Sequence, residues 1–100
     1  MRLALFLALL CLAPLPAAAD AVSDTLCPIL ARVAGESAGA IPEMAQAGLV
    51  LQVADAYGYD HDALMTVLGT ADASTKAACP EARAAVLAAT GKDSLTAAMY

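Results

Sequence analysis

The chain has 100 residues, with five Lys or Arg against ten Asp or Glu, a net charge of −5 and 61% apolar residues. That length fits one small domain. An acidic balance without any basic run excludes a phosphate-binding surface, so neither nucleic acid nor anionic lipid is an expected partner.

The N-terminal segment differs from everything after it. Arg2 is followed by Leu3–Leu12 (LALFLALLCL), a run without charge, and then by Pro14 and Pro16, which break a helix. Ala17-Ala18-Ala19 follow, and Asp20 opens a chain of different composition. Charged, apolar and small segments in this order form the pattern of a cleavable secretory signal. The apolar run is shorter than the roughly 20 residues that a membrane span needs. Residues 1–19 are therefore expected to be a signal peptide and 20–100 a single small helical domain, periplasmic or secreted, with no membrane attachment after cleavage. Lipidation at Cys11 is the main competing fate, but Leu10 stands where a lipoprotein signal carries a small residue.

The segment from Asp20 onward keeps all ten acids and four of the five bases, for a charge of −6. Alanine richness, few β-branched clusters and a 3.6-residue apolar period predict an all-α fold. Thr25 is placed to cap a first helix with Leu26, Cys27 and Pro28 in its opening turn. Leu26, Ile29, Leu30 and Val33 then form one apolar face. Gly35 to Gly39 reads as a break.

A second helix starts at Pro42, with Glu43 near the positive end of its dipole. Met44, Ala47, Leu51 and Ala54 make one stripe, and Val50, Val53 and Tyr57 a neighbouring one. Two adjoining stripes predict a central helix contacted from several sides, stopped by Gly58. Asp60 caps a third helix carrying Leu64, Met65, Val67 and Leu68; a break or kink between Gly69 and Ser74 is the favoured expectation, and a run through the alanines to Ala78 the alternative. Cys79-Pro80-Glu81 opens a fourth helix with Val86 and Leu87 in its core and Gly91 as its stop. Ser94 or Asp93 starts a last turn containing Leu95 and Met99. The expected architecture is a compact bundle of four to five short helices stapled by one disulfide.

That staple is Cys27–Cys79. A domain of this size buries only about 60–65% of its unfolded surface and is marginal without help. Once the leader is removed these are the two remaining cysteines, and a pair in a small exported domain predicts a bridge. There is no Cys-x-x-Cys, and neither cysteine has a basic neighbour to lower its pKa, so the bridge reads as structural.

No residue set points to catalysis. His61, the single histidine, lies in Tyr57-Gly58-Tyr59-Asp60-His61-Asp62. Asp60, His61 and Asp62 are adjacent and point apart, and no second imidazole or thiolate accompanies them, so no metal site is expected. The spacing also differs from a calcium loop. Met44, Met65 and Met99 fall on apolar faces and read as core filler. The serines and threonines have one histidine as candidate base and no Gly-x-Ser-x-Gly context, so no enzyme and no cofactor are expected.

Tyrosine is enriched at binding surfaces, and two tyrosines here flank a glycine turn beside two acids. Tyr57, Tyr59, Asp60, His61 and Asp62 are thus the candidate partner-contact loop. The leading expectation is a non-enzymatic exported protein acting through protein–protein contact, as an inhibitor, adaptor or assembly factor. The small helical domain, the export signal and the one disulfide between distant cysteines also resemble the HdeA-type periplasmic chaperones. That resemblance implies an acid-stress chaperone as the alternative. It covers size, class and cysteine separation, without a shared motif or the Lys-rich helices of that group, so no residue role is carried over. A small-molecule or metal carrier is the third reading, without ligand clusters to support it.

Overall fold

The computed structural model of the chain describes residues 20–100; residues 1–19, with the expected signal segment and Cys11, lie outside the described residues. Five helices follow one another: α1 (Ala21–Glu36), α2 (Pro42–Ala56), α3 (His61–Ala78), α4 (Pro80–Thr90) and α5 (Leu95–Met99). The described residues form an all-α bundle closed by the Cys27–Cys79 disulfide, whose Cα atoms lie 6.0 Å apart.

The first helix begins five residues earlier than the Thr25 cap implies. Asp20 and Ser23 form a capping box: the Ser23 amide donates to Asp20 Oδ1 at 2.7 Å, and the Asp20 amide donates to Ser23 Oγ at 3.0 Å. These bonds satisfy two donors that a helix start otherwise leaves open. Pro28 consequently sits inside α1, in its second turn, where it withholds a backbone bond. It is tolerated because the opposite face is wholly packed: Leu26, Ile29, Leu30 and Val33 are all buried. Cys27 therefore lies beyond the opening turn, while Cys79 is the single residue between α3 and α4.

The centre of the bundle is α1, not the second helix. It packs against α2, α3 and α4, whereas α5 closes the far side over α2, α3 and α4. From α2 the core takes Ala45, Leu49 and Val53, a stripe turned away from Met44 and Leu51. Those two are 64% and 60% exposed, and Met65 of α3 is 46% exposed, so the expectation that these residues fill the core is overturned. Met99 packs partly against it as expected.

Helix α3 runs without interruption through Gly69 to Ala78. A glycine inside a helix costs about 1 kcal/mol relative to alanine. The turns after it offset this by burying Ala71, Ser74 and Thr75. Thr75 also donates its hydroxyl to the Ala71 carbonyl at 2.6 Å, so its burial leaves no open donor. Gly91 ends α4 in the left-handed conformation (φ 68°), with the Lys92 amide reaching back to the Leu87 carbonyl.

Candidate functional site

The loop between α2 and α3 is tight. Tyr59 donates its amide to the Ala54 carbonyl at 2.8 Å, closing the end of α2 in a Schellman-type stop. Gly58 adopts φ 64°, and Tyr59 itself adopts φ 58°, a left-handed conformation that a bulky residue rarely takes. Asp60 then caps α3, its Oδ1 accepting from the Ala63 amide at 3.1 Å. His61 and Asp62 are exposed in the first turn of α3. The loop residues are thus neighbours along a turn that do not converge on a common point. Among the described residues, no group of three or more His, Cys, Asp or Glu is placed to hold a metal ion.

The two tyrosines have different surroundings. Tyr59 is 64% exposed. Tyr57 packs against the core, and its Oη is buried with no hydrogen-bond partner among the described residues. A buried hydroxyl left unpaired costs about 1–3 kcal/mol. Tyr57→Phe should therefore raise stability by about 1 kcal/mol while keeping the packing, measured by thermal or urea unfolding; Tyr57→Ala should lower it.

A second surface lies beside this loop. The α2 stripe assigned to the core from sequence borders an apolar trough instead. Its floor is a pocket of about 90 Å³ lined by Val50, Val53 and Ala54 of α2, Leu64, Val67 and Leu68 of α3, and Met99 of α5. The trough continues along α2 past Ala47 and Leu51 to Glu43, with Met99 and Tyr100 on its other flank. Of the exposed large apolar residues, Val50, Leu51 and Tyr100 line it, and Ile41 and Met44 stand at the start of α2. The signal for this surface was present in the sequence as the Met44, Ala47, Leu51 and Ala54 stripe of α2; its exposure was not.

The surroundings of the trough are acidic. Glu43 lines it, and Asp55 follows Leu51 by one turn of α2. Between Arg32 and Lys76 the chain carries six acids and no Lys or Arg.

One wall of the trough is held in place by a carboxylate. Asp72 of α3 accepts from the Leu95 amide at 2.8 Å, from the Thr96 amide at 3.2 Å and from the Thr96 hydroxyl at 3.1 Å. It also forms an ion pair with Arg83 of α4 at 2.8 Å. Partial burial pushes the Asp72 carboxyl upward, but the Leu95 amide, the Arg83 guanidinium and the Thr96 donors outweigh it, so its pKa lies below the ordinary value. Asp20 is likewise lowered, chiefly by the Ser23 amide and then by the Ser74 hydroxyl, which donates from α3 at 2.8 Å. Sequence reading missed Asp72, because its partners lie 11 to 24 residues away.

No family model, curated protein or solved structure matches this chain. No helix of the described residues is long and apolar enough to cross a membrane.

Proposed function

We propose that the protein is exported, that residues 1–19 are its cleavable signal, and that the domain from Asp20 acts without catalysis by docking a partner protein in the α2–α3–α5 trough. The carrying observation is the unpartnered apolar stripe of α2, with Met44 and Leu51 each more than half exposed beside a formed pocket. Clustered exposed apolar residues on a small domain mark interaction surfaces, whereas scattered ones need no explanation. Export is supported by the order of the leader segments and by a disulfide, a bond kept in oxidising compartments. Tyr59 and the acids that follow it form the neighbouring loop and give the docked partner a second contact.

The test is capture of partners from periplasmic extract at about pH 7, where the exposed carboxylates are ionised. Leu51→Asp should abolish capture and Tyr59→Ala should weaken it, with unchanged far-UV circular dichroism in both. Full capture by a folded Leu51→Asp protein would overturn the trough as the docking face.

A second reading, the acid-stress chaperone, is favoured by one observation: α5, which walls the trough, is held by a carboxylate. Protonation of Asp72 would release that wall and enlarge the apolar surface. This reading requires that the protein keep an aggregating client soluble at about pH 2.5 but not at neutral pH.

A further inference from the structure

Resting on the trough as a docking face, we infer that its occupant is a basic amphipathic helix, with apolar side chains on one face and Lys or Arg along the borders. Three features select this partner. The lined part of α2 from Glu43 to Ala54 extends for about 17 Å at 1.5 Å per residue, the length of roughly three helical turns. The floor is made of side chains from helices, with no free strand edge, so it takes up side chains projected at helical spacing and not an added β-strand.

Charge supplies the third feature. Glu43 stands at one end of the trough and Asp55 near the other, and no Lys or Arg occurs from Val33 to Thr75. None of the four bases of the described residues lines the trough; Arg32 bonds Gln52 on the α1 side of α2, and Arg83 is paired with Asp72. A positively charged border on the partner meets these acids. A second copy of this chain would instead bring Glu43 and Asp55 against acidic surface, and an acidic helix would meet the same repulsion.

The test uses the oxidised domain and three labelled synthetic helices of about 14 residues: leucine–lysine, leucine–glutamate and serine–lysine. Fluorescence anisotropy should give binding of the leucine–lysine helix at least about tenfold tighter than either other peptide, weakening by about tenfold when salt rises from about 50 to about 300 mM. Leu51→Ser and Glu43→Gln should each reduce that affinity, whereas Asp24→Asn, beside Cys27 on another face, should leave it unchanged.

Equal binding of the leucine–glutamate helix, still sensitive to Leu51→Ser, would overturn the basic partner while leaving the docking face intact. Binding that ignores Leu51→Ser would overturn both. Serine–lysine binding equal to leucine–lysine would reduce the effect to charge alone and overturn the inference. Sedimentation showing a dimer that Leu51→Ser dissociates would assign the trough to self-association and overturn it as well.

Discussion

Replacing Cys27 or Cys79 with alanine is expected to lower the unfolding free energy by about 4 kcal/mol, from the chain entropy of a loop this long. That is a large share of the 5–15 kcal/mol typical of a small domain. The bridge ties the middle of α1, the central helix, to the one-residue elbow between α3 and α4. Breaking it therefore loosens the packing of three helices at once. Denaturant unfolding followed by circular dichroism measures the loss, and reduction of the wild type should reproduce it. An unchanged midpoint in the alanine variant would show that the helices pack without the bridge.

Asp72→Ala should cost about 2–4 kcal/mol, since four groups on two helices lose a charged acceptor. The loss should be uneven. Hydrogen exchange should show α5 amides losing protection first, because Leu95 and Thr96 lose the bonds that start their helix. Asp72→Asn should fall between the two, keeping an acceptor but losing the charge that pairs with Arg83. The effect depends on pH in a defined direction. The folded Asp72 pKa is lowered, so its contribution is present above the unfolded value of about 3.9 and is lost as pH falls through the folded value. The stability gap between wild type and Asp72→Asn should therefore close below about pH 4. A gap that persists at lower pH would mean that packing, not charge, accounts for the effect of Asp72.

The legible parts of this fold were those with local chemical signals. Pro42 and Pro80 begin helices, Gly58 and Gly91 end them, Asp60 and Ser94 cap them, and the two cysteines pair. Sidedness in α2 was not legible, because an alanine-rich helix offers several apolar stripes of similar contrast. Ala45, Leu49 and Val53 carry no stronger mark than Met44, Ala47, Leu51 and Ala54. Which stripe is buried depends on where α1 and α4 lie, and that is not local information. The same limit hid Asp72, a lone acid within α3 with no cap motif around it. The Gly69 break failed for the converse reason: a local propensity was overridden by burial on the far side of the glycine. For the candidate site, sequence drew attention to the tyrosine loop, while the adjoining trough emerged only once α2, α3 and α5 were placed together.

The position of the disulfide along the chain bears on how this molecule meets proteases. Cys27 and Cys79 enclose α2, α3 up to Ala78 and both loops that flank α2 within a single covalent ring. A cut in the exposed Gly58–Asp60 turn converts the ring into two chains still held together by the bridge. The pieces separate only when a reductant follows the protease. The segment from Gly91 to Ser94 lies outside the ring, so one cut there leaves α5 held only by its noncovalent contacts. A wall of the trough can thus lose its covalent tie by a single hydrolysis, while its floor takes two chemical events to lose the same.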